Sequence, residues 1–151
     1  MSILTEEQAR AILDKVIKLS KADQCTAQLT GNIDGNIRFA LNDISTSGIV
    51  DDTDLAVEVA FGNKVGVATI NEFDDASLER VVRRAEDLAR LAPENPEFMP
   101  AIEKQTYKPS PTFTQSIADI TPEYRAQVAA DSIKPCKNEK LIAAGFLEDG
   151  Q

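Results

Sequence analysis

The chain has 151 residues, of which 25 are acidic and 16 basic, giving a net charge of −9 with 42% apolar and 27% charged residues. That length and composition suit one ordinary domain with a real hydrophobic core and exclude wholesale disorder. The acidity runs against the basic footprint on which nucleic-acid binding depends, and against attraction to anionic lipid, so neither partner is expected.

Histidine is absent, which removes the commonest metal ligand and a frequent general base. Cys25 and Cys136 are the only cysteines. They form no CxxC pair, make no tetrahedral zinc site by themselves, and are expected as free, buried thiols of a reducing compartment. The N-terminus lacks a basic region followed by an apolar run, and no stretch approaches the roughly 20 apolar residues that span a bilayer. A cytoplasmic chain without membrane contact is the expectation.

Residues 6–20 read as a first helix. Thr5 and Gln8 fit a capping box, and Ala9, Ile12, Val16 and Leu19 recur at three- and four-residue steps. Strands follow. Cys25, Ala27 and Leu29 alternate with polar neighbours, Asp34-Gly35 reads as a two-residue turn, and Ile37, Phe39 and Leu41 alternate again. Residues 43–47 extend this region as a possible further strand. Leu55, Val57, Val59 and Phe61 are the cleanest alternating set, Gly62-Asn63 signals a hairpin, and Val65, Val67 and Thr69 complete it. Short turns predict antiparallel pairing, because parallel strands need a long crossover.

Residues 76–91 read as a second helix capped by Asp74 or Asp75. Its apolar face is Leu78, Val81, Val82, Ala85, Leu88 and Ala89. Of these, Leu78, Val82 and Leu88 are expected to share one core with Val57 and Val59. Prolines 93, 96, 100, 109 and 111 fall in residues 93–120, five of the seven in the chain, and predict a long extended connection. Thr121 and Pro122 restart a helix as cap and first helical residue. Residues 141–147 read as a terminal strand, in which Gly145 suits a bulge or a close backbone approach. The expected fold is α+β: an antiparallel sheet of about four to five strands flanked by two helices, then the proline-rich connection, a third helix and the last strand. The corresponding division is 1–92 as the N-terminal domain, 93–120 as connection, and 121–151 as a helix plus the start of a further sheet. Being apolar and incomplete in this reading, that last strand is expected to pair within the N-terminal sheet, pair with a second molecule or remain poorly ordered, and pairing between molecules is the favoured outcome.

Chemistry is hard to find. Asp51, Asp52 and Asp54 lack the spacing of a calcium loop and read as a solvated turn. Gly62-Asn63-Lys64-Val65-Gly66 lacks the GxxxxGK[ST] pattern and opens no helix. Arg80, Arg83, Arg84 and Arg90 offer an anion site in principle, but Glu79, Glu86 and Asp87 balance them on an exposed helix face. Ser45, Thr46 and Ser47 have no histidine to activate them, and Cys25 sits in a strand pattern as core. The expected set of catalytic, cofactor-binding and metal residues is therefore empty.

The order of elements carries a resemblance. Arg38-Phe39-Ala40-Leu41-Asn42-Asp43-Ile44, where an arginine-led strand leads into an asparagine turn, resembles a segment of TldD/PmbA proteins. Val57-Glu58-Val59 followed by residues 62–71 resembles that family's next hairpin. Residues 85–93 resemble its alanine-rich helix and proline exit, and residues 141–150 the start of its next sheet, with Ala144-Gly145-Phe146-Leu147 matching best. The resemblance implies the N-terminal part of a zinc-dependent peptidase-family protein acting in bacterial peptide maturation and protein turnover, whose members have also been described as modulators of DNA gyrase. The family's HExxxH-type metal helix has no counterpart here, so the resemblance implies zinc only in a full-length parent, and none of its catalytic or metal residues maps onto this sequence. It implies a homologous TldD/PmbA-type subunit, or self-association, as partner, and peptide or unfolded protein as the parent's substrate. The expected role is a non-catalytic scaffold that helps wall a substrate chamber and assemble subunits. The alternative is a stand-alone protein-binding module that offers a sheet edge.

Overall fold

The computed structural model describes residues 3–151. The elements run α1 (Glu6–Leu19), β1 (Gln24–Ala40), β2 (Asp43–Phe61), β3 (Lys64–Ile70), α2 (Asp75–Leu91), α3 (Gln115–Ala118), α4 (Pro122–Asn138) and β4 (Gly145–Gly150). The strands form one antiparallel sheet in the order β3-β2-β1-β4. The α+β class and the helix-strand order expected from the sequence are borne out. The chain divides into two compact units, Ile3–Gly31 with Asp52–Lys108, and Asn32–Asp51 with Pro109–Gln151.

In the first unit, local signals set the helices. Thr5 accepts from the Gln8 amide and Gln8 answers with its side chain, the complete capping box. Asp74 accepts from the amides of Ala76 and Ser77 at the start of α2. Gly62, alone in its turn, has positive φ (59°), and Phe61 pairs with Lys64 across it. Glycine first in a two-residue loop is the type II′ arrangement that matches strand twist.

The core joins Val16, Leu55, Val57 and Val59 to Leu78, Val81, Val82, Ala85 and Ala89. Leu88 departs from expectation: it is 43% exposed. The buried stripe of α2 runs 78, 81, 82, 85, 89, and Leu88 falls beside it. The stripe is narrow because β3 meets α2 through small residues. A Cβ on Gly66 would lie 2.3 Å from both the Ala85 carbonyl oxygen and the Ala89 nitrogen, so the helix backbone rests directly on that glycine. Gly66 and Ala68 face inward while Val67 faces out.

Four further expectations are corrected. Asp34-Gly35 is no turn: β1 runs unbroken through it, and the hairpin lies at Leu41-Asn42, both with positive φ (53° and 64°). Asp51, Asp52 and Asp54 form no turn either, but lie within β2. The terminal strand pairs inside its own chain, antiparallel to β1 from Asp34↔Gly150 to Phe39↔Gly145. The length of β1 supplies an edge for it. Residues 141–144 precede that strand rather than belong to it. The close approach expected of Gly145 is present: a Cβ there would stand 2.4 Å from the Phe39 ring.

Truncating a core leucine costs about 2–5 kcal/mol. Leu78→Ala is expected to lower the unfolding free energy, read from urea denaturation, by an amount in that range, and Leu88→Ala by less than about 1 kcal/mol. Equal losses would mean that the buried face of α2 is misassigned.

Candidate functional site

Two buried charges, Glu86 and Arg125, organise the polar interior. Glu86 lies on α2 in the first unit. Its Oε1 accepts from the Lys21 amide at 2.6 Å, and its Oε2 from Arg83 Nη1 at 2.8 Å, with Arg90 at 3.6 Å. Arg83 also donates to the Leu19 carbonyl at 2.9 Å. Carboxylate and guanidinium together close the C-terminal end of α1, whose last carbonyls and following amide have no helical partner. Burial pushes the Glu86 carboxyl up, but the Lys21 amide, Arg83 and Arg90 outweigh it and hold it below the usual range. Glu86, expected on a solvated face, is 1% exposed. The other arginines of that helix are more open: Arg80 pairs with Glu72 at 2.8 Å and Arg90 with Asp87 at 3.0 Å. Arg90 also lies over the Phe61 ring, 4.7 Å from its centroid.

Arg125 belongs to α4 in the second unit and is 2% exposed. Its Nη1 donates to both oxygens of Asp149, at 2.8 and 3.0 Å. Asp149 pairs across the strands with Gly35. A Cβ on Gly35 would stand 2.2 Å from Nη1, so the guanidinium occupies the space that a side chain would take. The Arg125 Nε is buried without a hydrogen-bond partner. Asn42, in the hairpin of the same unit, holds the approach to β4. Its Nδ2 donates to the Leu141 carbonyl at 2.9 Å and its Oδ1 accepts from the Ala143 amide at 2.7 Å, as a strand neighbour would.

Two grooves open in this unit. One, of about 410 Å³, is lined by Asn42, Asp43, Ile44, Ala130, Ile133, Lys134, Lys137 and Asn138. The other, of about 440 Å³, lies between Ile117, Ile120, Tyr124 and Val128 and the strand residues Leu147, Glu148, Asp149 and Gly150. Both are large enough to take a few side chains of a partner.

No reactive centre emerges from the residues singled out by sequence. Among the described residues there is no group of three His, Cys, Asp or Glu able to hold a metal ion. Zinc, the metal of the resembling family, finds no fitting donor set here. Asp52 beside Asp54 pushes the Asp54 carboxyl up, the mark of an exposed like-charge pair. Ser45 and Ser47 spend their hydroxyls on the carbonyls of Arg38 and Asn36. Cys25 and Cys136 are free thiols, half-buried rather than buried. Burial raises the Cys25 thiol, opposed by the Ser20 hydrogen bond and reinforced by Glu86, so it is a poor nucleophile. No described helix is long and apolar enough to cross a membrane. Sequence reasoning missed Arg125, Asp149 and Gly35 as a unit. The signal was an arginine inside the apolar spacing Arg125, Ala129, Ile133, set against an acidic residue on an apolar strand.

The sheet with its flanking helices has counterparts among known proteins. Residues 29–89 match the family profile described as PmbA/TldA metallopeptidase domain 1. The match covers about two fifths of the chain and falls on segments whose motifs resemble the TldD/PmbA family. TldE from Thermococcus kodakarensis superposes with a TM-score of 0.76 at 13% identity, over 94% of this chain and 37% of its own. A Thermotoga maritima protein named for modulation of DNA gyrase gives 0.68 at 11% identity, over 94% and 38%. A Bacteroides thetaiotaomicron protein with the same kind of name gives 0.66 at 14%, over 98% and 40%. The chain therefore spans about two fifths of the length of these solved structures. No curated protein sequence matches it.

Two outcomes follow from the buried charges. Gly35→Ala is expected to cost about 1–3 kcal/mol by forcing Arg125 out of place, whereas Gly48→Ala, with nothing nearer than 3.7 Å, stays within about 1 kcal/mol of the parent. Urea unfolding of the two variants reads the difference. The second concerns pH. The lowered Glu86 carboxyl contributes stability that is present above its unfolded value, about 4.3, and is lost as pH falls through the lower folded value. Glu86→Gln is expected to be less stable at neutral pH and to lose less stability on acidification than the parent. Parallel pH curves for the two proteins would refute the assigned role.

Proposed function

We propose that this chain is the non-catalytic N-terminal scaffold and assembly domain of a TldD/PmbA-type metallopeptidase-family protein. The observation that carries the reading is the match of residues 29–89 to the first domain of that family. In this reading the domain walls part of a peptide-binding chamber and contributes a surface for a homologous subunit, or for a second copy. Zinc and bond cleavage belong to other parts of such a protein, because the described residues offer neither a metal-capable group nor an activated nucleophile. The substrates of the whole protein are then peptides or unfolded chains in maturation and turnover. The free thiols support a reducing, cytoplasmic setting.

The experiment mixes the purified chain with a full-length TldD/PmbA-type subunit, reading association by sedimentation and peptide hydrolysis in parallel. The expected result is association with the subunit and no hydrolysis by the chain alone, with or without zinc. Chelator-sensitive hydrolysis by the isolated chain would sink the non-catalytic reading. A chain that ignores every such subunit but captures unrelated proteins would favour a stand-alone binding module.

A further inference from the structure

One segment of the first unit has the charge and apolarity that one groove of the second unit is built to receive. Residues 94–103 form neither helix nor strand. Residues 95–98 make a turn, closed by the Phe98 amide on the Asn95 carbonyl at 3.2 Å, and Pro100 favours an extended course beyond it, since proline fixes φ and withholds a donor. Two hydrogen bonds fasten the segment: the Asn95 amide donates to the Asn63 carbonyl and the Ala101 amide to the Gln24 side chain, both at 3.0 Å. Phe98 is half-buried, but Met99 and Ile102 remain outside, 82% and 78% exposed. Glu94, Glu97 and Glu103 are interleaved with them, and the segment holds no basic residue.

The two grooves are similar in volume but opposite in charge. The one beside β4 carries Glu148 and Asp149, which would repel an acidic segment. The one beside the β1–β2 hairpin carries Lys134 and Lys137 against a single acid, Asp43, the two lysines lying three residues apart and therefore on one side of α4. Ile44 and Ile133 supply its apolar walls. In a chain of net charge −9, this is a local reversal of sign, and an acidic apolar strand complements it.

We infer that residues 94–103 of one copy dock in the Ile44–Ile133 groove of a second copy. Met99 and Ile102 fill the apolar channel, and Glu97 and Glu103 face Lys134 and Lys137. A segment already fastened at Asn95 and Ala101 loses less conformational freedom on docking than a free one. The inference gives the assembly role proposed above a specific contact, and rests on that role only for its biological setting.

Sedimentation velocity over a range of concentrations tests it with charge reversals on both sides. The parent chain is expected to form dimers as concentration rises, and less so at high salt. Lys134→Glu with Lys137→Glu, and separately Glu97→Lys with Glu103→Lys, are expected to weaken the dimer about tenfold or more. All four changes together should restore it. Circular dichroism confirms that these surface variants stay folded. A parent that is monomeric at every concentration, a dimer indifferent to the lysine reversals, or a quadruple variant that fails to recover would each overturn the inference. A monomeric parent that still binds a full-length TldD/PmbA-type subunit would overturn this contact and leave the proposed assembly role standing.

Discussion

The second unit depends on an arginine held where a side chain is missing. Arg125 is almost wholly buried, and burying a guanidinium is costly unless it is paired. Asp149 supplies the pair and Gly35 the room, and the two stand opposite each other on adjacent strands. One contact therefore specifies three things together: which face α4 buries, which register β4 takes on β1, and why residue 35 has no side chain. Truncating one partner leaves a buried charge exposed to its full desolvation penalty, on the order of 3–5 kcal/mol, whereas replacing both by apolar groups can be nearly neutral. The pair thus acts more through specificity than through net stabilisation.

The first unit uses the same devices in a different order. Gly66 brings the backbone of α2 down onto β3, and Glu86 stands in for the partners that the end of α1 lacks. Around them the core is assembled from aliphatic and small residues, a close-packed arrangement in which a single added methyl would be felt. In both units a glycine inside a strand marks the place where another element approaches most closely.

The elements were legible where the physics is local. The capping box at Thr5, the Asp74 cap, the Gly62 turn and the alternation of Leu55, Val57 and Val59 each act within a few residues. What could not be read depends on partners far along the chain. Asp34-Gly35 has the composition of a turn, and only Arg125, ninety residues on, explains why it is a strand. Leu88 fits a helical period, and only the narrowness of the contact at Gly66 leaves it outside. Glu86 looks like one of several surface charges until Lys21 and Leu19 are brought beside it. The absence of any imidazole base was legible from composition, because the chain has no histidine. The grooves were not, because they arise between elements whose packing the sequence does not state.

The sheet ends in the strand that Arg125 holds. The central claim is therefore that β4 belongs to its own sheet and is kept there by the arginine. Hydrogen exchange of the parent and of Arg125→Leu tests this most directly. The account predicts that residues 145–150 are protected in the parent and exchange much faster in the variant, while Val57, Val59 and the α2 amides keep their protection. If residues 145–150 exchanged in the parent as freely as the strandless residues 104–113, the strand would not belong to this sheet and the account would fail.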